Sequence, residues 1–169
     1  LESGATLLVL GRRGEAAEAT RRDLGRNVEH VVRALHKPVL AVTEGFREPR
    51  RVLIAFDGGS VTRRGVDMLA RSPLLRGLSI ELLMSGQPGT DAARLLDWAR
   101  ATLQAASFEV NATIRPGDAE TLIARTVQEQ SIDLLVMGAF GHSPLRSLLL
   151  GSKTADLLRS SPVPTLLLR

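Results

Sequence analysis

The sequence predicts an α/β protein with a five-stranded parallel sheet and helices on both faces, preceded by a partial copy of the same unit. Three observations predict this fold class. Apolar strand-like runs alternate with helical segments from residue 50 to residue 169, which is the pattern of a parallel sheet. The segment Ile132–Met137 is apolar apart from Asp133, as expected for a central strand buried on both faces. Residues 1–43 repeat the end of the later unit.

The first half of the complete unit reads as strand, turn, helix and strand. A short apolar strand at Val52–Phe56 runs into the turn Asp57–Ser60. A helix then extends to Ala70, because Ser72-Pro73 disfavours its continuation. The second strand is Leu78–Met84.

The middle of the unit adds two helices and an edge strand. Asp91–Ala106 carries apolar residues at helical spacing, with its first residue or Thr90 as the cap. Apolar and polar residues alternate over Phe108–Arg115, which predicts a half-exposed strand at an edge of the sheet. Asp118 then caps a helix that runs to about Gln130.

The order of the strands places two turns at one crevice. The unit closes with the strand Ile132–Met137, a helix that begins at Ser152, and the strand Thr165–Leu168. Right-handed crossovers and an alternating third strand favour the Rossmann-like order 3-2-1-4-5, in which the first and fourth strands are neighbours. Ligands bind such sheets outside the carboxyl ends of the strands, where the winding reverses. The turns Asp57–Ser60 and Gly138–Ser152 leave those two strands.

An internal repeat defines the organisation of the chain. The stretch "TLLVLGRRG" matches "DLLVMGAFG", and "LGRNVEHVVRALHKPVLAV" matches "LGSKTADLLRSSPVPTLLL". We therefore predict the C-terminal part of a first domain at 1–43, a linker at 44–49 and a complete second domain at 50–169.

The repeat also predicts how the two copies meet. Each copy ends in a short apolar closing strand, at residues 38–42 and 165–168. Each strand leaves unpaired backbone groups at a sheet edge, and we expect the two to cover each other in an antiparallel pair within the chain or in a homodimer. Val39 and Leu166 are then buried. The alternative is that a helix or a neighbouring molecule covers each edge.

The glycines of the second copy suggest an anion site. Gly138 and Gly141 can adopt positive φ and let a ligand approach the backbone. Gly151-Ser152 opens a helix, whose free N–H groups attract anions, and Thr154 adds a second hydroxyl. These features suit the phosphates of a nucleotide. The alternative is a set of turn glycines followed by an ordinary serine N-cap.

The second unit resembles the universal stress protein family. The spacing Gly138-x2-Gly141-x9-Gly151-Ser152 is similar to the family's nucleotide-binding motif. The stretches "RRVLIAFDGGS", "RPGDAETLIARTVQEQSIDLLVMGAFGHS" and "PVPTLLL" resemble its first strand and aspartate, its third helix and fourth strand, and its closing strand. Together with the repeat, the chain resembles a tandem member. Some members of this family bind no nucleotide.

The resemblance implies a site for ATP, with Mg²⁺ as a companion ion. It implies that Asp57 contacts the nucleotide or its metal and that Met84 lies near the adenine. Each also has a purely structural interpretation, Asp57 as a turn former and Met84 as a core residue. The positions that fall in the phosphate loop are Gly138, Gly141, His142, Gly151, Ser152, Lys153 and Thr154. His142 lacks an evident orienting partner, and Lys153 at the second position of a helix more often points to solvent.

The first copy departs from the motif. Gly11 and Gly14 are followed by an acidic stretch before Gly25, and Arg26 stands where the second unit has Ser152. Negative charge there repels phosphate. We expect the loop from Gly11 to Asn27 to be structural or degenerate, with Asn27 as the cap of its helix.

Composition narrows the function classes. The net charge of +4 comes from arginines scattered among acids, and aromatic residues make up 3% of the chain, so nothing indicates a nucleic-acid partner. No apolar run reaches membrane-spanning length, and the chain has no cysteine, which favours a cytoplasmic protein. No acid–base pair stands out, so the expected enzymatic activity is at most a slow ATPase.

Three functions fit these observations to different degrees. The leading hypothesis is an ATP-binding regulatory or protective module of the stress response. The first alternative is an interaction or dimerisation module of the same fold that binds no nucleotide. The second, an adenylyl-transferring ligase, needs a substrate domain for which this sequence has no room.

Overall fold

The structure is a computed structural model that describes residues 6–11, 37–45, 47–138 and 161–169. Its strands and α-helices follow in chain order: β1 (Leu8–Gly11), β2 (Val39–Val42), β3 (Arg51–Ala55), α1 (Ser60–Arg71), β4 (Ser79–Ser85), α2 (Thr90–Ala105), β5 (Glu109–Arg115), α3 (Ala119–Glu129), β6 (Leu134–Gly138) and β7 (Thr165–Leu168).

The strands of the second unit lie in the predicted order. In the sheet, β5, β4, β3, β6 and β7 are successive neighbours, and each pairing among them is parallel. This is the order 3-2-1-4-5, so the first and fourth strands, β3 and β6, are adjacent. Within the described chain β5 has a hydrogen-bonded neighbour on one side only, which confirms its predicted edge position.

The strands of the first copy extend the same sheet. β2 pairs antiparallel with β7, and β1 pairs parallel with β2, giving seven strands in the order β1-β2-β7-β6-β3-β4-β5. The sheet is therefore larger than the five-stranded parallel sheet that we predicted. The edge that β7 would otherwise leave exposed is hydrogen-bonded to β2. The predicted pairing of the closing strands is confirmed, with Val39 fully buried and Leu166 8% exposed.

The pairing of β1 with β2 reproduces that of β6 with β7. The amide of Leu8 donates to the carbonyl of Pro38 at 3.1 Å, and the amide of Leu135 donates to that of Pro164 at 3.0 Å. These residues hold corresponding positions in the sequence repeat, and the strand registers agree. The two copies thus have the same local geometry in the strands that both contain.

Two apolar clusters hold helices against the sheet. α1 and α2 pack on one face, where Val66 and Leu103 are fully buried, and α3 packs on the other, where Ile123 is 2% exposed. Burying each such side chain contributes about 1.5–3 kcal/mol. The central strands β3 and β6 are covered on both faces and are accordingly almost continuously apolar.

The predicted helix caps have different outcomes. Asp118 is the N-cap of α3 as predicted, and its side chain accepts the amide of Thr121 at 3.1 Å. The predicted cap of α2 is wrong. Thr90 is already the first helical residue, and Gly89 holds the cap position without a side-chain hydrogen bond. Asp91 lies in the first turn of α2, where a carboxylate favours the positive end of the helix.

Candidate functional site

Asp57 lies just beyond β3, at the edge of the sheet where the carboxyl ends of β3 and β6 meet. One of its carboxylate oxygens, Oδ1, accepts the amide of Gly59 at 2.8 Å and the hydroxyl of Thr62 at 2.5 Å. The other oxygen, Oδ2, has no hydrogen-bond partner among the described residues. The carboxylate is therefore held on one side and open on the other.

The turn after Asp57 requires glycine at one position. Gly58 has φ +73°, in the left-handed region that residues with a side chain rarely adopt. A Cβ there would also lie 2.7 Å from Cδ1 of Leu95 on α2. Gly59, by contrast, is extended and serves as the N-cap of α1. The sequence Asp-Gly-Gly therefore turns the chain sharply and returns it along α1.

Gly138 ends β6 directly beside the first turn of α1. A Cβ on Gly138 would lie 3.3 Å from Cγ2 of Thr62 and 3.6 Å from Cγ1 of Val61. Its φ is not in the left-handed region, so the freedom of glycine to adopt positive φ is not used at this position. Glycine instead leaves the room that Thr62 occupies, and Thr62 contacts Asp57 as well.

A small cavity opens at this edge of the sheet on the α3 face. Its volume is about 70 Å³, and its lining is apolar apart from two side chains, those of Asp57 and Ser85. The remaining lining residues are Ala55, Phe56, Leu83, Ala119 and Ile123. Its lining resembles that of a ligand pocket, but its volume lies well below the roughly 300–1,000 Å³ of such pockets, so the cavity has room for only part of an organic ring.

Met84 and its neighbours point to different faces of β4. Met84 is 5% exposed and packs in the cluster beneath α1 and α2. Leu83 and Ser85 line the cavity on the α3 side. Because side chains alternate between the two faces of a strand, β4 presents Leu83 and Ser85 to this cavity and not the predicted Met84.

An aromatic pair connects the cavity to the surface. Phe56, 2% exposed, stacks on Trp98 of α2 with ring centroids 6.5 Å apart. Trp98 is 38% exposed and is the single tryptophan of the chain. Its fluorescence therefore reports on the surroundings of the turn that carries Asp57.

Most of the predicted phosphate loop lies outside the described residues. This applies to Gly141, His142, Gly151, Ser152, Lys153 and Thr154, and to the first-copy loop beyond Gly11. Of the predicted site residues, the structure thus places Asp57 and Gly138 near each other through Thr62, and Met84 in the core.

Thr62 and Ser85 were not predicted as site residues. The hydroxyl of Ser85 donates to the carbonyl of Gly117 at 2.8 Å, which ties the end of β4 to the turn before α3. Thr62 contacts Asp57 across the turn. A usable sequence signal for Thr62 is its place as third helical residue after the cap, from which a side chain reaches back over the start of a helix.

The comparisons with known proteins agree with the fold and its motifs. The model of the universal stress protein family matches residues 85–169. The chain belongs to this family. It is 35% identical, over 171 aligned residues, to a universal stress protein of the cyanobacterium Synechocystis, Slr1230. That match covers 100% of this chain and 60% of the relative, so the chain spans little more than half of the relative's length.

Solved universal stress proteins share the architecture. One from Archaeoglobus fulgidus superposes with a TM-score of 0.69 at 20% identity, covering 96% of this chain and 60% of that one. Another, solved in complex with cAMP, gives a TM-score of 0.60 at 22% identity over 73% of this chain and 98% of that one. These similarities show that this chain has the fold of the solved universal stress proteins.

Among the described helices none has the length and apolar character needed to cross a bilayer. The parts of the chain that the structure describes also contain no cluster of three or more histidine, aspartate or glutamate side chains placed to hold a metal ion.

Proposed function

We propose that this chain binds ATP, together with Mg²⁺, in the crevice between the carboxyl ends of β3 and β6. The observation that carries the proposal is the meeting of Asp57 and Gly138, through Thr62, at the reversal point of the sheet. The glycine-rich motif that continues from Gly138 supports a phosphate-bearing ligand. A relative of the same fold was solved with cAMP, which supports an adenine nucleotide.

The chemistry of the groups assigns parts of the nucleotide to parts of the site. The carboxylate of Asp57 only accepts hydrogen bonds and repels a phosphate, so its open oxygen suits a ribose hydroxyl or a base amino group. The apolar cavity beside it is too small for a whole base and suits only its edge. The triphosphate then extends toward Gly138, Gly141 and the helix start at Gly151-Ser152, with Thr154 as a further donor and Lys153 and His142 as positive or polar neighbours.

This arrangement supports a binding module rather than a fast enzyme. A hydrolytic step needs a base placed near the attacking water. Asp57 is the carboxylate at the cavity, and one of its oxygens already accepts two hydrogen bonds. We therefore propose a cytoplasmic regulatory or protective protein of the stress response, whose ATP hydrolysis is slow at most.

Nucleotide titration followed by Trp98 fluorescence and by calorimetry tests the proposal. We expect saturable binding of ATP with Mg²⁺, and a large loss of affinity in Gly141→Val, because a branched side chain fills the space that a phosphate needs. The variant should keep the far-ultraviolet circular dichroism of the parent. Equal ATP affinity in parent and variant would remove the phosphate loop from the site.

The strand pairing favours a second candidate, a protein-interaction module that binds no nucleotide. In the antiparallel contact of β2 with β7, the closing strands of the two copies already pair with each other. Absence of ATP binding by the parent chain, together with concentration-dependent association, would support this alternative.

We also propose that residues 1–43 are the last part of a first universal-stress-type domain, with 44–49 as linker and 50–169 as the second domain. The equal registers of β1–β2 and β6–β7 support this division. An apolar groove of about 610 Å³ adjoins it, between β2, the linker and the end of α1. In residues 50–169, α1 packs against β6 and β7, which correspond to β1 and β2 of the first copy.

A further inference from the structure

We infer that Thr62 is a positioning residue of the nucleotide site, which orients Asp57 and spaces it from Gly138. This inference rests on the proposed ATP function. It adds a residue outside both the glycine motif and the aspartate turn, and it assigns separate tasks to the hydroxyl and the methyl group of one side chain.

The hydroxyl group of Thr62 fixes the carboxylate. It donates to Oδ1 of Asp57 at 2.5 Å and lies farther, at 3.2 Å, from the carbonyl oxygen of Gly59. A hydroxyl has one proton, and a carboxylate is the stronger acceptor, so the bond to Asp57 takes precedence. With the amide of Gly59 on the same oxygen, both hydrogen bonds fall on Oδ1, and Oδ2 has no hydrogen-bond partner among the described residues.

The methyl group of Thr62 lies beside the end of β6. Thr62 is 1% exposed, and its Cγ2 lies 3.3 Å from the position that a Cβ on Gly138 would take. A side chain at position 138 would therefore be closer to this methyl group than carbon atoms in ordinary contact, which glycine avoids. Thr62 is almost fully buried and its hydroxyl is bonded to Asp57, so its side chain is held in one orientation. The residue that holds Asp57 thus also contacts the first glycine of the loop.

Two near-isosteric substitutions separate the two tasks. Thr62→Val keeps the branched shape and removes the hydroxyl, so Asp57 loses one of the two hydrogen bonds that orient it. We expect the affinity for ATP with Mg²⁺ to fall by about tenfold as a result. Thr62→Ser keeps the hydroxyl and removes the methyl, and we expect its affinity to stay within about threefold of the parent.

A double-mutant cycle distinguishes positioning from a general effect on stability. If Thr62 acts through Asp57, then Thr62→Val has no further effect on ATP affinity in an Asp57→Ala background. An equal loss of affinity in both backgrounds, or a Thr62→Val affinity equal to that of the parent, would overturn the inference. Circular dichroism of each variant confirms that the compared proteins are folded.

A measurement without nucleotide keeps this test separate from the proposed function. The amide of Gly59 donates to the same oxygen of Asp57, so its proton resonance should shift in Thr62→Val and stay near the parent position in Thr62→Ser. An unchanged Gly59 resonance in Thr62→Val would overturn the inference. If the parent chain fails to bind ATP, the proposed function is overturned. The Gly59 resonance would then still test whether Thr62 orients Asp57.

The contact with Gly138 supplies a rescue experiment. Gly138→Ala should weaken ATP binding, because the new Cβ presses on the methyl group of Thr62. Combining it with Thr62→Ser removes that methyl group and should restore most of the affinity. A combined variant that binds no better than Gly138→Ala alone would contradict the spacing role.

Discussion

Leu40 of β2 and Leu166 of β7 lie directly opposite each other at the centre of the antiparallel pair. They hold corresponding positions in the two copies of the repeat. On either side of them Val39 pairs with Leu167 and Ala41 pairs with Thr165, and exchanging the two copies converts one of these pairs into the other. The contact between the copies is therefore locally two-fold symmetric about Leu40 and Leu166. Symmetry of this kind covers both closing edges with a single contact.

Substituting Leu166 with Asp should separate the two copies. Leu166 is 8% exposed, and an unpaired charge at that position lowers the free energy of unfolding by about 3 kcal/mol. Trypsin should then cleave the linker faster, notably after Arg47, whose side chain is 86% exposed. Leu7→Asp is the matched control, because Leu7 is 41% exposed. Parent-like resistance to trypsin in Leu166→Asp would contradict the packing of the copies.

Val9 and Val136 form a matched pair for a test of burial. They are the same residue type at corresponding positions of the repeat, yet Val9 is 55% exposed and Val136 is fully buried. Val136→Ala should reduce the free energy of unfolding by about 2 kcal/mol, and Val9→Ala by less than about 0.5 kcal/mol. Urea unfolding measures both. Equal losses would mean that Val9 is covered in solution.

The order of the strands could be predicted because it depends on patterns that the chain carries locally. The alternation of polar and apolar residues in β5 predicts an edge, and the apolar run of β6 predicts the centre. Right-handed crossovers then leave few arrangements. The seven-stranded sheet was harder to predict from the sequence, because the joining of the two copies depends on which surfaces remain uncovered and not on the pattern of any one segment.

The details of the site depend on contacts between distant residues, and these could not be predicted. The place of Thr62 as third helical residue indicates that its side chain can reach back over the start of α1, but nothing in "DGGSVT" identifies Asp57 as its partner. The reason for glycine at position 138 is a neighbour in α1, 76 positions earlier in the sequence. The choice between Leu83, Met84 and Ser85 as cavity residues depends on which face of β4 the cavity occupies.

Gly65 is a further glycine that space requires. It is buried within α1, and a Cβ there would clash with Cδ1 of Leu168, itself 2% exposed. Gly65→Ala gains about 1 kcal/mol of helix propensity, but the strain of overpacking, about 1–3 kcal/mol, should exceed it. We expect a net loss of stability in thermal unfolding. In a Leu168→Ala background the same substitution should be neutral or stabilising, and a loss of equal size there would contradict the proposed clash.

Ser152→Ala tests whether the helix start after the glycine loop holds phosphate. Removing an N-cap hydroxyl costs about 1 kcal/mol of stability with or without ligand. If the hydroxyl also donates to phosphate, the stabilisation that ATP adds should shrink as well, since that increment depends on the affinity for the folded state. Thermal unfolding over a range of ATP concentrations measures both quantities.

Asn27→Ala is the matched control, because Asn27 is the predicted cap of the corresponding helix in the first copy, where acidic residues disfavour phosphate. It should lower the melting temperature equally at every ATP concentration. The same uniform decrease in Ser152→Ala would assign Ser152 a capping role alone.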